Sequence, residues 1–551
     1  MTRLKKLTAL LVSAALALSL LAGCGGSKAL SQVIADLLSG MYNNVTVEVD
    51  PDLTAALKKA AAAGSTREEV LAALVEELNL SGVRLTLRQL EEGQQGDRGV
   101  ELVFQSGADP DAAARSAVNG WASAFGALPD DGSYTARVAM IEAEGGYYIA
   151  VDVEVLKAGT PDKDDPEPKP DYTTSTENGV TTYTVYTAAG LQKWAEAAKV
   201  NPSTSCTLGD NITLTGNWTP IGTDWEHAYT GTFDGQGHTI FGLDFSSSDE
   251  YAGLFGYIGE KGKVQNLTLD SPTVSSTNAD GYVGAVAGCN EDGTIENCHV
   301  TGGSISGNIA GGVVGINGRD GSVIGCSSSA KVNGTGSYTS AGGVVGYNLS
   351  STVTGCSSTG TVTGDVAGGV VGCNDTRTVT ACYFTGTVNG NTTGGVVGSN
   401  TNAGEVTACY FTGTVNGNTT GGVVGVNSDP GSTVTACYAT GTVTATGSGS
   451  TAGGVVGSNS YDSTITTCYW NGSQTKGIGD GNQAADPEYS PSGNNGEIPP
   501  KNKVPDGTTW SAATTAMNNA IPDATGWWYV PNGDSAPTKF TQTKPVPSTT
   551  P

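Results

Sequence analysis

Through its middle the chain repeats one pattern of apolar and polar positions: two valines between glycines, then short runs in which valine alternates with threonine, serine or asparagine. GGVVG stands at Gly311, Gly342, Gly368, Gly394, Gly421 and Gly453, and the degenerate copies AGLFG at Ala252 and GAVAG at Gly284 bring the number to eight. Successive copies lie 26 to 32 residues apart, and residues 379–398 recur unchanged as 406–425. Self-similarity at such a period marks a stacked repeat architecture. Period-two alternation in residues that favour pleated backbone makes each repeat a coil of strands and turns. The expected fold class is mainly β, a right-handed parallel β-helix (solenoid) of about eight coils, roughly 38 Å long at ~4.8 Å per coil.

Ahead of the repeats the pattern becomes mixed. Asp50-Pro51 opens PDLTAALKKAAAA with an N-cap and a proline at the first helical position, Ser65 and Glu68 form a capping box, and Asp109-Pro110 opens a third helix through Trp121. Alternating segments at Val45–Val49, Val83–Leu87, Val100–Phe104, Thr135–Ile141 and Tyr148–Val155 predict strands. Residues 24–159 therefore read as a small α+β domain, and TPDKDDPEPKPD, 160–171, as an extended spacer. The coils then occupy 172–476, beginning with an amphipathic helix N-capped by Thr187 that caps the stack. Residues 477–551 form a linker and a C-terminal cap whose Trp510, Trp527 and Trp528 are expected over the open end.

Aligning the repeats exposes columns. Asparagine falls two places after each VG, at Asn290, Asn317, Asn348, Asn374, Asn400, Asn427 and Asn459. Such a column predicts a ladder of stacked amides, each satisfying the next and the turn backbone. The repeat, with Trp218-Thr219-Pro220-Ile221-Gly222 and FDGQGHTIFGL (233–243) ahead of it, resembles the GLUG-motif repeat family over about residues 180–475. The resemblance implies a bacterial cell-surface protein. Relatives include adhesin-like chains and some immunoglobulin-cleaving proteases, and the repeats themselves have no assigned chemistry.

The N-terminus carries Arg3, Lys5 and Lys6, an apolar run from Leu7 to Leu21, and Ala22-Gly23-Cys24, which is the layout of a secretory leader over residues 1–23. Leu21-Ala22-Gly23-Cys24 resembles the lipobox of bacterial lipoproteins, which implies lipidation of Cys24 and anchoring to the outer face of a membrane. The net charge is −26, and losing the leader's three cations makes it more negative. That balance argues against a nucleic-acid partner and for a monomer.

Candidate chemistry is sparse. Cys298, Cys326, Cys356, Cys382, Cys409, Cys437 and Cys468 form an inward column, too widely spaced between coils for ordinary disulfides, and read as buried thiols. His227, His238 and His299 lie in different coils without HExxH, so no metal site or cofactor is expected. Asp320, Asp365, Asp375, Asp429 and Asp462 fall at scattered turns, not as a pair facing one groove, so no catalytic residues are assigned and an enzyme is not expected. The residue after each later cysteine points outward, which makes Tyr383, Tyr410, Tyr438 and Tyr469 a candidate strip for stacking on a glycan or docking a host or matrix protein. Thr385, Thr412 and Thr440 extend it, and a regular threonine array is also the pattern of an ice-binding face. The leading expectation is a lipid-anchored, adhesin-like rod. The alternatives are a polysaccharide-active enzyme and a passive envelope spacer.

Overall fold

The computed structural model describes residues 30–481 and 502–544, apart from 160–169 and stretches of one to four residues. The expected leader, residues 1–23, and Cys24 lie outside the described residues. The chain divides into two compact units, with the boundary after Lys169.

The first unit is a four-stranded sheet with two helices on each face. In chain order its elements are α1 (Leu30–Leu38), β1 (Val45–Val49), α2 (Pro51–Ala63), α3 (Arg67–Glu77), β2 (Arg98–Ser106), α4 (Pro110–Ala127), β3 (Ser133–Ala143) and β4 (Gly146–Lys157). The sheet order is β1-β3-β4-β2, with only β1 and β3 parallel. Alternation along β3 sends Ala136, Val138 and Met140 to a core shared with α1 and α4, and Ala139 and Ile141 to a second core under α2 and α3. Asp50 caps α2 as its sequence requires, accepting from the Asp52 and Leu53 amides. The strand expected at 83–87 is reduced among the described residues to an isolated bridge from Leu85 to Gly99, followed by a 3-10 turn over Arg88–Glu92.

The second unit is a β-solenoid. One column of strands on its first face runs in parallel register through Phe255, Ala287, Val314, Val345, Val371, Val397, Val424, Val456 and Ile478. That makes nine rungs rather than eight, because Ile478–Gly481 adds one beyond the last GGVVG. A turn leads to a second face carrying the valine and cysteine columns, and a third face, a separate 14-stranded sheet, returns the chain to the next GGVVG. Helix α5 (Ala188–Val200), N-capped by Thr187, closes one end by burying Leu191 and Trp194 against Phe233 and Phe255.

GGVVG is a corner. A Cβ on Gly394 would overlap the Val397 carbonyl oxygen, and one on Gly395 would overlap the ring of Phe411, so the first glycine permits the bend and the second makes room for a core aromatic. Both valines of the motif are fully buried in every complete copy. The bend resets the alternation, which is why two adjacent residues can both point inward.

The asparagine ladder forms as the spacing predicts. Each Nδ2 donates to the Oδ1 one coil on, from Asn290 to Asn317 at 2.7 Å through to Asn427 to Asn459 at 2.8 Å. The second amide hydrogen goes to turn carbonyls such as Ser351 and Gly404, both at 2.8 Å. The ladder ends at Asn290, whose Oδ1 is buried without a partner because Ile258 occupies the position below it. All ten described cysteines are free, and each column thiol donates to backbone carbonyls, as Cys409 does to Thr407 at 3.3 Å.

Candidate functional site

The tyrosine strip expected to face solvent is instead the seat of the C-terminal segment. Tyr383, Tyr410, Tyr438 and Tyr469 stand in register on successive coils. Tyr383 is half-buried, while Tyr410, Tyr438 and Tyr469 are 3%, 0% and 8% exposed. Helix α6 (Trp510–Ala520) and the short hairpin of Trp528–Tyr529 and Phe540–Thr541 cover them, so helix and hairpin lie along the flank of the coils, and Asn502–Val504 ahead of them pairs on the last coil, at Cys468 and Trp470. The rings of Tyr383, Tyr410 and Tyr438 stack at 4.9 and 5.2 Å with interplanar angles of 4°. Stacked in this way they cover one another's faces, which are the surfaces a sugar ring would need.

The seat is polar as well as apolar. The Tyr410 hydroxyl donates to the Thr538 carbonyl at 2.9 Å, and that of Tyr438 to Pro537. The Tyr529 hydroxyl reaches back into the coils to the carbonyls of Cys409 (3.1 Å) and Ala436 (2.9 Å). Asn518 fixes helix to hairpin by bonding both the amide and the carbonyl of Tyr529 at 2.9 Å. Burial pushes the Tyr410, Tyr438 and Tyr529 hydroxyls well above the ordinary phenol range, so all three are donors at neutral pH. Earlier coils carry Thr268, His299, Ser327 and Ser357 in this column. The segment therefore sits where tyrosine begins.

Two other outward surfaces remain. Beside the GGVVG corner, Tyr251 stacks on Tyr282 at 5.5 Å and meets Tyr257 edge-on at 5.2 Å, with Cys289 buried among them. Farther along, the Tyr347 hydroxyl donates to Asp375 at 2.9 Å, and burial pushes the neighbouring Cys373 thiol up to about 12. These side chains fill the crease at the corner. Asp234, in the lead-in segment, is a hub. Burial opposes its ionisation, but hydrogen bonds from Gln236, Gln265 and Asn266 outweigh that and hold its carboxyl below the usual range.

The third face is open. Around inward Val362, Val388, Val415 and Val443, it presents Thr361 and Thr363, Thr387 and Asn389, Thr414 and Asn416, Thr442 and Thr444. The first and last pairs are exposed and the middle two half-exposed. Sequence reading picked out the neighbouring corner threonines, Thr385, Thr412 and Thr440, and missed this face, although TVT and TVN in four successive repeats were its signal.

Of the turn aspartates, Asp320 pairs with Arg377, Asp375 takes the Tyr347 hydroxyl, and Asp375 and Asp429 both accept from Asn402. No group of three or more metal-ligating side chains occurs among the described residues.

Parallel coils with in-register columns define a β-solenoid repeat protein. The family described as the GLUG motif matches at residues 279–306, 337–363 and 389–416, so three of the coils carry GLUG-motif repeats. It is 40% identical over 75 residues to halomucin of Haloquadratum walsbyi, and 40% over 74 residues to a protein of Evansella cellulosilytica named as a candidate Gly-rich membrane protein. Each match spans 13% of this chain, but only 1% and 8% of those proteins' own lengths. Among solved structures it is similar to a candidate immunoglobulin A1 protease from Bacteroides ovatus, at 19% identity and a TM-score of 0.31, over 54% of this chain and 77% of that one.

Proposed function

We propose that this protein is a lipid-anchored rod displayed outside a bacterial membrane, and that it acts by binding a glycan or matrix ligand rather than by catalysis. The observation that carries the reading is the nine-rung parallel column, which presents like side chains at a fixed spacing along a rigid surface. The names of the Haloquadratum and Evansella relatives, a mucin-like and a membrane protein, support an envelope location. A leader over residues 1–23 leaves Cys24 to carry the anchor, since two or more acyl chains hold a protein stably where one is marginal.

The test is detergent phase separation combined with protease shaving of intact cells. Wild-type protein is expected in the detergent phase and accessible to the protease, and Cys24→Ala in the aqueous phase and the medium. Equal partition of the two would overturn the anchor, and protection from the protease would overturn surface display.

A further inference from the structure

We infer that the exposed threonine and asparagine face of coils 361–444 is a docking surface for an uncharged polysaccharide whose extended chains lie side by side. The inference rests on the surface-binding function proposed above and names its ligand class. Four coils each offer a pair of outward side chains two residues apart, six of them threonine and two asparagine. β geometry sets their spacing at ~4.8 Å between coils and about 6.7 Å along the strand. In the first two coils Thr361–Gly368 and Thr387–Gly394 are single unbroken strands, and the pairing continues through Thr414–Gly417 and Thr442–Ala445.

Charge selects the occupant. The chain carries −26, yet these eight positions hold no charged side chain; Lys331 stands one coil earlier and Asp365 two residues beyond Thr363 in the same strand. An anionic polymer would be repelled by the molecule as a whole, and a cationic one would prefer the carboxylates elsewhere. A neutral ligand rich in hydroxyls fits the donors and acceptors that remain. The amides sharpen this fit. Asn389 and Asn416 bond to each other at 3.0 Å, and Asn391 and Asn418, beside them, at 2.7 Å, which fixes their orientation and leaves further donors and acceptors directed outward. None of the eight side chains is aromatic, so a single sugar chain gains no stacking platform. Affinity must come from many weak contacts to an ordered surface, which is the regime of multivalent binding.

The experiment is depletion of the full chain, kept in detergent, by microcrystalline cellulose and by chitin powder. The paired variant Thr387→Glu/Thr414→Glu is expected to bind about tenfold more weakly. Thr387→Ser/Thr414→Ser, which keeps the hydroxyls, should stay within about twofold, and added salt should change little, because no ion pairs are involved. Circular dichroism confirms that each variant is folded. Unchanged depletion by the glutamate variant would place binding elsewhere and sink this face while leaving the surface-binding function intact. Absence of wild-type depletion by either solid would overturn the polysaccharide, and if the protein then arrested ice growth, the occupant would be the ice lattice. Detergent partition and protease accessibility, measured on the same preparations, report separately on the proposed function.

Discussion

A buried asparagine is tolerated only where its amide is fully used, and the ladder shows what that use is worth. Asn374 accepts from Asn348 and donates to Asn400 and to the Arg377 carbonyl. Replacing it with alanine strands two buried amide groups and the part-buried Arg377 carbonyl, the buried ones at about 1–3 kcal/mol each, so Asn374→Ala should cost about 3 kcal/mol or more. Asn290 has the same two donations, but its oxygen already lacks a partner. Asn290→Ala removes that orphan as well as the bonds, and should cost about half as much. Denaturant titration with amide exchange across the flanking coils measures both. Equal losses would mean that the amides act as fillers and not as a directional chain. A second column makes the opposite trade. Ala408 and Ala436 hold φ of 56° and 54°, a conformation that costs alanine ~1–2 kcal/mol and that Gly325 and Gly355 occupy freely in earlier coils. The alanine methyls lie in the apolar cluster under the C-terminal segment, which offsets the strain.

Beyond one main-chain contact among the described residues, the Val504 amide to the Trp470 carbonyl, that segment is held by side chains, with helix, hairpin and aromatic cluster all directed at one strip of the coils. Tyr529 is its anchor, fully buried and bonded to two coil carbonyls. Tyr529→Ala should cost about 3–5 kcal/mol and release the segment while the coils stay folded. Limited proteolysis should then cut within 502–544, and Tyr438 should become open to acetylation; an unchanged cleavage pattern would show that Trp510 and Trp528 hold the segment without it. The sequence displays the coils and hides this contact, for a physical reason. Periodicity reports what each residue does relative to its own repeat, so the Asn290–Asn459 column, the inward cysteines and the cap at Thr187 could all be read from spacing. The segment meets residues about a hundred positions earlier, as Tyr529 does Ala436, and no period encodes that encounter. Its tryptophans announced a cap without saying which surface it covers. The ninth rung was missed likewise, because pairing Ile478 with Val456 sets Gly477 where the first valine stands and Lys476 where the second glycine stands, so the motif is not there to be read.

At the scale of the whole rod, stability in a stack is a sum of coil terms and contacts between neighbouring coils, so a coil can be excised if the register is kept. The duplicated stretch offers a clean cut. Val379 pairs with Val353 below it and Val406 above it, so removing residues 379–405 sets Val406 on Val353 without moving any column to another face. Tyr410 would then lie over Ser357, and the C-terminal segment would keep its seat on Tyr410, Tyr438 and Tyr469. The shortened protein is expected to fold and to unfold cooperatively, with one coil fewer of slow-exchanging amides and a rod shorter by ~4.8 Å. Excising residues 379–392 instead would bring Thr393, from near the end of a third-face strand, to the place of Val379 on the second face, stranding polar side chains in the core and breaking the asparagine ladder. That variant should aggregate or be degraded. Loss of folding in the whole-coil deletion as well would show that the coils are coupled beyond their nearest neighbours, and that the rod is a single cooperative unit rather than a stack.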